Sequence, residues 1–197
     1  AALSALGVKV VEAPMDNATE VTLVMPPAVD AVFHVAGNTS LWRHLNQRQY
    51  QDNVMGTRAL ITAALRNQAG RFIHTSSISA WGIQDEAIDE ASPSNAADDW
   101  IGYNRTKYLA EEEIRHGMQH VLVEIHREDI PTIGRLLDRP TPRKPMPVWL
   151  LRLAGQVYAV GGLFTRQEPR LTPEKVALVT SRVHADGSKA VQELGFD

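Results

Sequence analysis

A parallel α/β sheet is the fold class this sequence predicts, and three observations carry it. Strand-like and helix-like segments alternate from Leu6 to Gly117. Two apolar runs end in small or polar residues, Ala36-Gly37 and Thr75-Ser76-Ser77. The longest helical pattern of the chain, Leu45 to Gln68, lies between those two runs. In sheets of this kind ligands bind beyond the carboxyl ends of the strands, so both clusters mark a candidate site.

The elements follow in order. Leu6 to Glu12 alternates apolar residues closely enough to predict a strand, with Asp16 and Asn17 just past it. Ala18 to Met25 predicts a short helix, stopped by Pro26-Pro27. Asp30 to Gly37 predicts a buried parallel strand whose small terminal residues allow close approach. Tyr50, Val54, Thr57, Ile61, Ala64 and Leu65 recur at three- and four-residue spacing, and Gly70 supplies the stop. Gly56 inside that helix predicts a close contact, since Gly costs roughly 1 kcal/mol there relative to Ala. Arg71 to Thr75 is the next strand. Asp98 or Asp99 then caps a helix that ends near Gly117. Beyond it, Val121–Ile125 is a short apolar stretch and Ile130–Leu137 looks helical. A Pro-rich connector runs from Pro140 to Pro147. Val148–Val160 predicts a helix, Thr172-Pro173 starts another, and Ser188–Leu194 is a last short one.

Composition narrows the function. The chain has 197 residues, 44% hydrophobic and 22% charged, as in ordinary globular proteins. A net charge of −3 gives no electrostatic case for nucleic acid or an anionic membrane. With no cysteine, disulfides, thiol catalysis and Cys-based zinc sites are excluded. The apolar run Val148–Phe164 carries Arg152, Gln156 and three glycines, which makes it a poor membrane span. No signal peptide is visible, which carries little weight because the chain starts abruptly at Ala1 in what reads as mid-domain sequence; the expected location is cytoplasmic.

Chemistry concentrates at Tyr103-Asn104-Arg105-Thr106-Lys107. On a helix, Tyr103 and Lys107 stand one turn apart on one face. A free phenol titrates near ~10, and a fixed cation beside it favours the phenolate. Such a Tyr can pass a proton to or from a carbonyl oxygen or an alcohol. The blander alternative is a packed ring and a solvated ammonium. Ser77 could equally cap a turn, with Ser76 or Ser79 as the working hydroxyl, and Asn53 could be a satisfied polar group of its helix. His34 and His74 read as core residues with backbone partners. Glu111-Glu112-Glu113 reads as a solvated helix face, and Trp81 and Trp100 read as packing beside the site.

Four ordered motifs, Asp30–Gly37, Asn53–Thr57, Phe72–Ser77 and Tyr103–Lys107, resemble the extended short-chain dehydrogenase/reductase family, also called the NAD-dependent epimerase/dehydratase family. Trp42 and the Pro147-Val148-Trp149-Leu150 stretch bring its dihydroflavonol-reductase-like branch nearest, and Asp186–Phe196 resembles the family's closing segment. The resemblance implies a Rossmann-like doubly wound parallel sheet over 1–118 and a smaller, mostly helical substrate-binding region over 119–197. It implies NADP or NAD as cofactor, a small carbonyl or alcohol substrate, and a homodimer built from the helices near 46–68 and 100–116, without nucleic acid or membrane partners. By the same resemblance Tyr103 is the acid/base, and Lys107 serves the phenol and the nicotinamide ribose. Ser77 holds the substrate oxygen and Asn53 supports the site. Ala36 and Gly37 line the adenine side and Thr75 the nicotinamide side, and Ser76 is a further cofactor-binding candidate. Asp16 is the acidic candidate for the adenosine contact expected near Ala13–Asp16, with Pro14 the alternative occupant of the aligned place. The family's Gly-rich phosphate loop has no counterpart in this sequence, so residues ahead of Ala1 and between Gly117 and Val121 are expected to be missing. The activities implied are ketone or secondary-alcohol oxidoreduction, or nucleotide-sugar epimerisation or dehydration, with a non-catalytic dinucleotide sensor as the remaining alternative.

Overall fold

The computed structural model describes residues 6–89, 91–117, 122–128, 147–165 and 167–181. Its centre is a three-stranded parallel sheet in the order β1 (Val32–His34), β2 (Arg71–Ser77), β3 (Leu122–Glu128). Val32 pairs with Phe72 and His34 with His74, while Arg71 pairs with Leu122 and Ser77 with Glu128. β3 extends the same sheet past residue 118.

Helix α1 (Ala18–Val24) starts where the Asn17 side chain accepts hydrogen bonds from the amides of Thr19 and Glu20. The long helical pattern is realised in three pieces. They are α2 (Asn46–Tyr50), a π-helical turn (Gln51–Met55) and α3 (Gly56–Arg66). Helix α4 (Gly102–Gly117) carries Tyr103 and Lys107. Its entry is organised by Asp99, whose carboxylate accepts from the Ile101 amide at 2.9 Å and from Asn104 Nδ2 at 2.6 Å. Helix α5 (Val148–Thr165) packs on α6 (Pro173–Thr180), and Thr172 caps α6 by accepting from the Lys175 amide.

One face of the sheet holds the core. Phe72 is fully buried among Ile61, Ala64, Ala69 and Ile114, with Met25, Val29, Val32 and Leu60 around them. Burying such a ring contributes about 1.5–3 kcal/mol. Gly70 lets α3 turn into β2, because a Cβ there would stand 2.8 Å from the Asp30 carbonyl oxygen.

Three expectations are corrected. Leu6–Glu12 forms no strand: the chain turns at Leu6-Gly7 and runs irregularly with Val8, Val10 and Val11 exposed. Among the described residues the sheet order gives it no strand to pair with, and an unpaired segment gains no ladder bonds. Strand β1 is buried on one face only, with His34 inside and Phe33 exposed. Gly56 meets Met15 and the Gln51 carbonyl at ordinary distance, 3.7–3.8 Å for a Cβ placed there, so no close approach demands a glycine. The predicted features at 118–121, 130–137 and 186–196 lie outside the described residues.

Candidate active site

The loop after β1 is tied to the π turn through Asn53. A π turn adds a residue to the helical ring, and it aims the buried Asn53 back at the strand end. Asn53 Oδ1 accepts from the Asn38 amide at 2.6 Å, while its Nδ2 donates to the Asn38 carbonyl at 3.0 Å and to Thr106 Oγ1 at 3.1 Å. Thr106 in turn donates to the Tyr103 carbonyl at 3.1 Å. The loop after β1, the π turn and the first turn of α4 are thereby joined through one amide side chain.

Lys107 completes the junction. It is buried, and its Nζ donates to the Thr75 carbonyl at 3.1 Å, at the carboxyl end of β2. A Cβ placed on Gly37 would stand 3.5 Å from both Lys107 Nζ and Asn53 Oδ1. The ends of β1 and β2 therefore converge on one ammonium, with bare backbone above it. Tyr103, half-buried, lies one helical turn before Lys107. Ser77, at the end of β2, accepts from the Ser79 amide at 3.2 Å and so caps the following turn (Ile78–Trp81). An acceptor role leaves its own hydroxyl proton available to donate.

Beside Gly37 opens a cleft of about 570 Å³, lined by Ala13, Asp16, Ala36, Gly37, Asn38 and Arg48 among others. It brings together Asp16, Ala36 and Gly37, which are far apart in sequence. The Ser76 hydroxyl donates to Glu111 Oε1 at 2.6 Å, which ties the end of β2 to α4.

Under the junction lie His34 and His74, cross-strand partners with ring centroids 4.8 Å apart. Thr57 donates to the Asn53 carbonyl at 2.6 Å, so the 2.8 Å contact between Thr57 Oγ1 and His34 Nε2 has the imidazole as donor. That fixes the His34 tautomer, and its Nδ1 finds no partner among the described residues, nor does either ring nitrogen of His74. The expected backbone partners are thus absent for both rings among those residues. Burial first, then the Lys107 charge, lowers His34 to about 4. Burial, then His34, then Lys107 lowers His74 to about 3. Both rings are neutral at physiological pH.

Two contributors escaped the sequence reading. Gln49, buried, donates to the carbonyls of Asn38 at 2.9 Å and Ser40 at 2.6 Å, holding the same loop as Asn53. Its place four residues before Asn53 was the available signal. Glu111 is no solvated residue: it is fully buried, takes the Ser76 hydroxyl, and pairs with Arg115 at 2.8 Å. Tyr103, Lys107 and Glu111 fall at i, i+4 and i+8, one face of α4. Glu112 pairs with Arg115 and Glu113 with Arg58. Glu111→Ala strips Ser76 of its acceptor and is expected to cost about 1–3 kcal/mol in urea unfolding. Glu111→Gln, which keeps an acceptor, is expected to cost less.

A Tyr and a buried Lys one helical turn apart, at the carboxyl ends of parallel strands, define a dinucleotide-binding α/β fold of the short-chain dehydrogenase/reductase type. The chain belongs to the NAD dependent epimerase/dehydratase family, whose sequence pattern matches residues 2–122. The family is NAD dependent, and at the junction the bare Gly37 backbone stands beside Lys107. A putative dihydroflavonol 4-reductase of Synechocystis sp. is 31% identical over 134 residues, which cover 67% of this chain and 39% of that protein. A dTDP-glucose 4,6-dehydratase of Streptomyces niveus is 39% identical over 67 residues, 32% of this chain and 20% of that protein. The chain thus spans well under half the length of these curated relatives. A short-chain dehydrogenase/reductase superfamily protein from Agrobacterium tumefaciens, crystallised with bound NAD, superposes with a TM-score of 0.61 at 17% identity, covering 98% of this chain and 82% of that one. This likeness concerns the fold.

Proposed function

We propose that the protein is an NAD(P)-dependent oxidoreductase acting on a ketone or secondary alcohol. The observation that carries this reading is the buried Lys107, held by the Thr75 carbonyl between Gly37 and Asn53, one turn after Tyr103. When bound, the nicotinamide supplies or takes up the hydride. In the reductive direction Tyr103 Oη gives its proton to the substrate oxygen as the carbonyl carbon becomes an alcohol carbon. Lys107 stabilises the phenolate left behind and holds the ribose. Ser77 donates to the substrate oxygen as charge develops on it. Asn53 acts through position, locking the loop after β1 to α4.

The substrate side is read at Trp100, which lines a second cleft of about 490 Å³ with Arg152, Leu153, Gln156, Pro173 and Val176. Trp100 stands three residues before Tyr103 in the sequence, just ahead of the helix that carries the phenol. The match to the Streptomyces niveus dehydratase favours a second reading, nucleotide-sugar dehydration or epimerisation with the same Tyr and Lys and the hydride returned. Cofactor oxidation with a panel of simple carbonyl compounds, set beside product analysis with nucleotide sugars, separates the two. Net turnover of cofactor supports reduction; a converted sugar with unchanged cofactor supports the second reading. No product from either panel overturns both.

The working assembly we propose is a cytoplasmic homodimer paired through the helices near 46–68 and 100–116. Light scattering after gel filtration is expected to give twice the chain mass at micromolar concentration, and a monomer contradicts it.

A further inference from the structure

Helix α5 has two unlike sides. Gly155 and Gly162 face the protein: a Cβ on Gly155 would stand 3.3 Å from Val176 Cγ2, and one on Gly162 would stand 2.5 Å from Pro169 Cγ. Trp149, Leu153, Val157, Val160 and Phe164 recur at i, i+4, i+8, i+11 and i+15, which puts them on the opposite face. They are exposed by 67%, 56%, 64%, 54% and 85%. Arg152 is the only charged residue in the helix and borders the stripe. The stripe runs the length of an 18-residue helix, about 27 Å at 1.5 Å per residue. Among the described residues this stripe stays largely exposed, which soluble surfaces rarely allow over so continuous an apolar face.

Charge says what covers it. Between Arg135 and Arg170 the sequence has seven Arg or Lys (Arg135, Arg139, Arg143, Lys144, Arg152, Arg166, Arg170) against Asp138 and Glu168, a net of +5. The whole chain is −3, so everything outside this stretch sums to −8. Overall charge hid this segregation, and the case against an anionic membrane made from it does not apply to α5. Lys144 precedes the helix by four residues and Arg166 follows it directly, so basic charge is tethered to both ends. A second copy carries the same net positive stretch, whereas an anionic surface complements it.

We propose that α5 is a membrane-docking helix that lies in the headgroup plane of an anionic bilayer, its apolar stripe inserted and the net positive charge of the surrounding sequence favouring anionic lipid. By length and composition the helix could cross a bilayer, with a mean hydropathy of 1.2, which corrects the expectation that Arg152, Gln156 and the glycines make it a poor span. The glycine face sets it parallel to the surface instead, because that side is held lengthwise against the segment Pro169–Val176. Docking there would bring the cleft at Trp100, Arg152 and Gln156 close to the lipid, suiting a substrate that partitions into it.

The test is co-sedimentation of the purified protein with vesicles of phosphatidylcholine alone and of phosphatidylcholine mixed with phosphatidylglycerol, for wild type and the double variant Val157→Asp, Phe164→Asp. Neither residue belongs to the proposed active site, and unchanged circular dichroism and melting temperature check the fold. Wild type is expected to bind the mixed vesicles at least about tenfold more strongly than the neutral ones, with binding weakened by salt and lost in the variant. No binding to mixed vesicles, or equal binding by the variant, overturns the proposal. A dimer that the double variant converts to monomer, without any vesicle binding, also overturns it and assigns the stripe to a second copy.

Discussion

Tyr103→Phe lowers turnover by about 10²–10⁴, the range typical of losing a positioned acid/base, while the fold and cofactor affinity are kept. The substitution removes one hydroxyl from a half-buried ring and leaves the hydrogen bond from Thr106 to the residue 103 carbonyl in place. Packing and the Asn53 network should therefore survive, and the loss falls on the proton. Ser77→Ala is expected to lower turnover more than it raises KM, since a donor to the reacting oxygen matters most as charge grows there. Its cost to the turn at Ser79 is a lost cap, checked by urea unfolding. Steady-state rates for the variants against wild type settle the point. Near-normal turnover in Tyr103→Phe removes the reductase and the epimerase readings together.

The second large effect is on stability in acid. His34 and His74 are neutral in the folded protein, lowered to about 4 and about 3, while in the unfolded chain each titrates near 6.5. Between those values the unfolded state binds more protons, so stability rises with pH and falls as pH drops below about 6.5. Each site contributes up to 1.36 kcal/mol per pH unit, giving a loss of several kcal/mol by pH 4 for the pair. Urea unfolding from pH 7.5 down to pH 4.5 is expected to show this decline, with His74→Leu flattening it. A level profile to pH 5 contradicts it. Because the Lys107 charge also disfavours both imidazolium ions, Lys107→Met should make the decline shallower.

Much of this was legible in the sequence because it is local. The i, i+4 spacing of Tyr103 and Lys107 guarantees a shared helix face, and Ala36-Gly37 and Thr75-Ser76-Ser77 end strands that do lie side by side. What escaped depends on partners distant in the chain. The triple Glu run looks uniform, yet Glu111 is buried because Ser76 and Arg115 meet it, whereas Glu113 pairs outward with Arg58. The π turn left no periodic trace, since a single extra residue barely disturbs a 3.6-residue repeat. Leu6–Glu12 has the pattern of a strand, but a strand needs a ladder, and the sequence cannot supply the neighbour. The apolar stripe of α5 reads as core by composition, and only packing reveals which of its sides is covered.

Lys107 is where the loop after β1, the end of β2, the π turn and α4 meet, and cofactor titration of wild type and Lys107→Met tests the account most directly. Calorimetry with NADH and with NADPH is expected to show binding to wild type that weakens at least about tenfold in the variant, as befits loss of a hydrogen-bonded charge of about 1.5–3 kcal/mol. Circular dichroism should show that the helix persists. Equal cofactor affinity in the two proteins would contradict the account, because the ammonium would then play no part in holding the ribose.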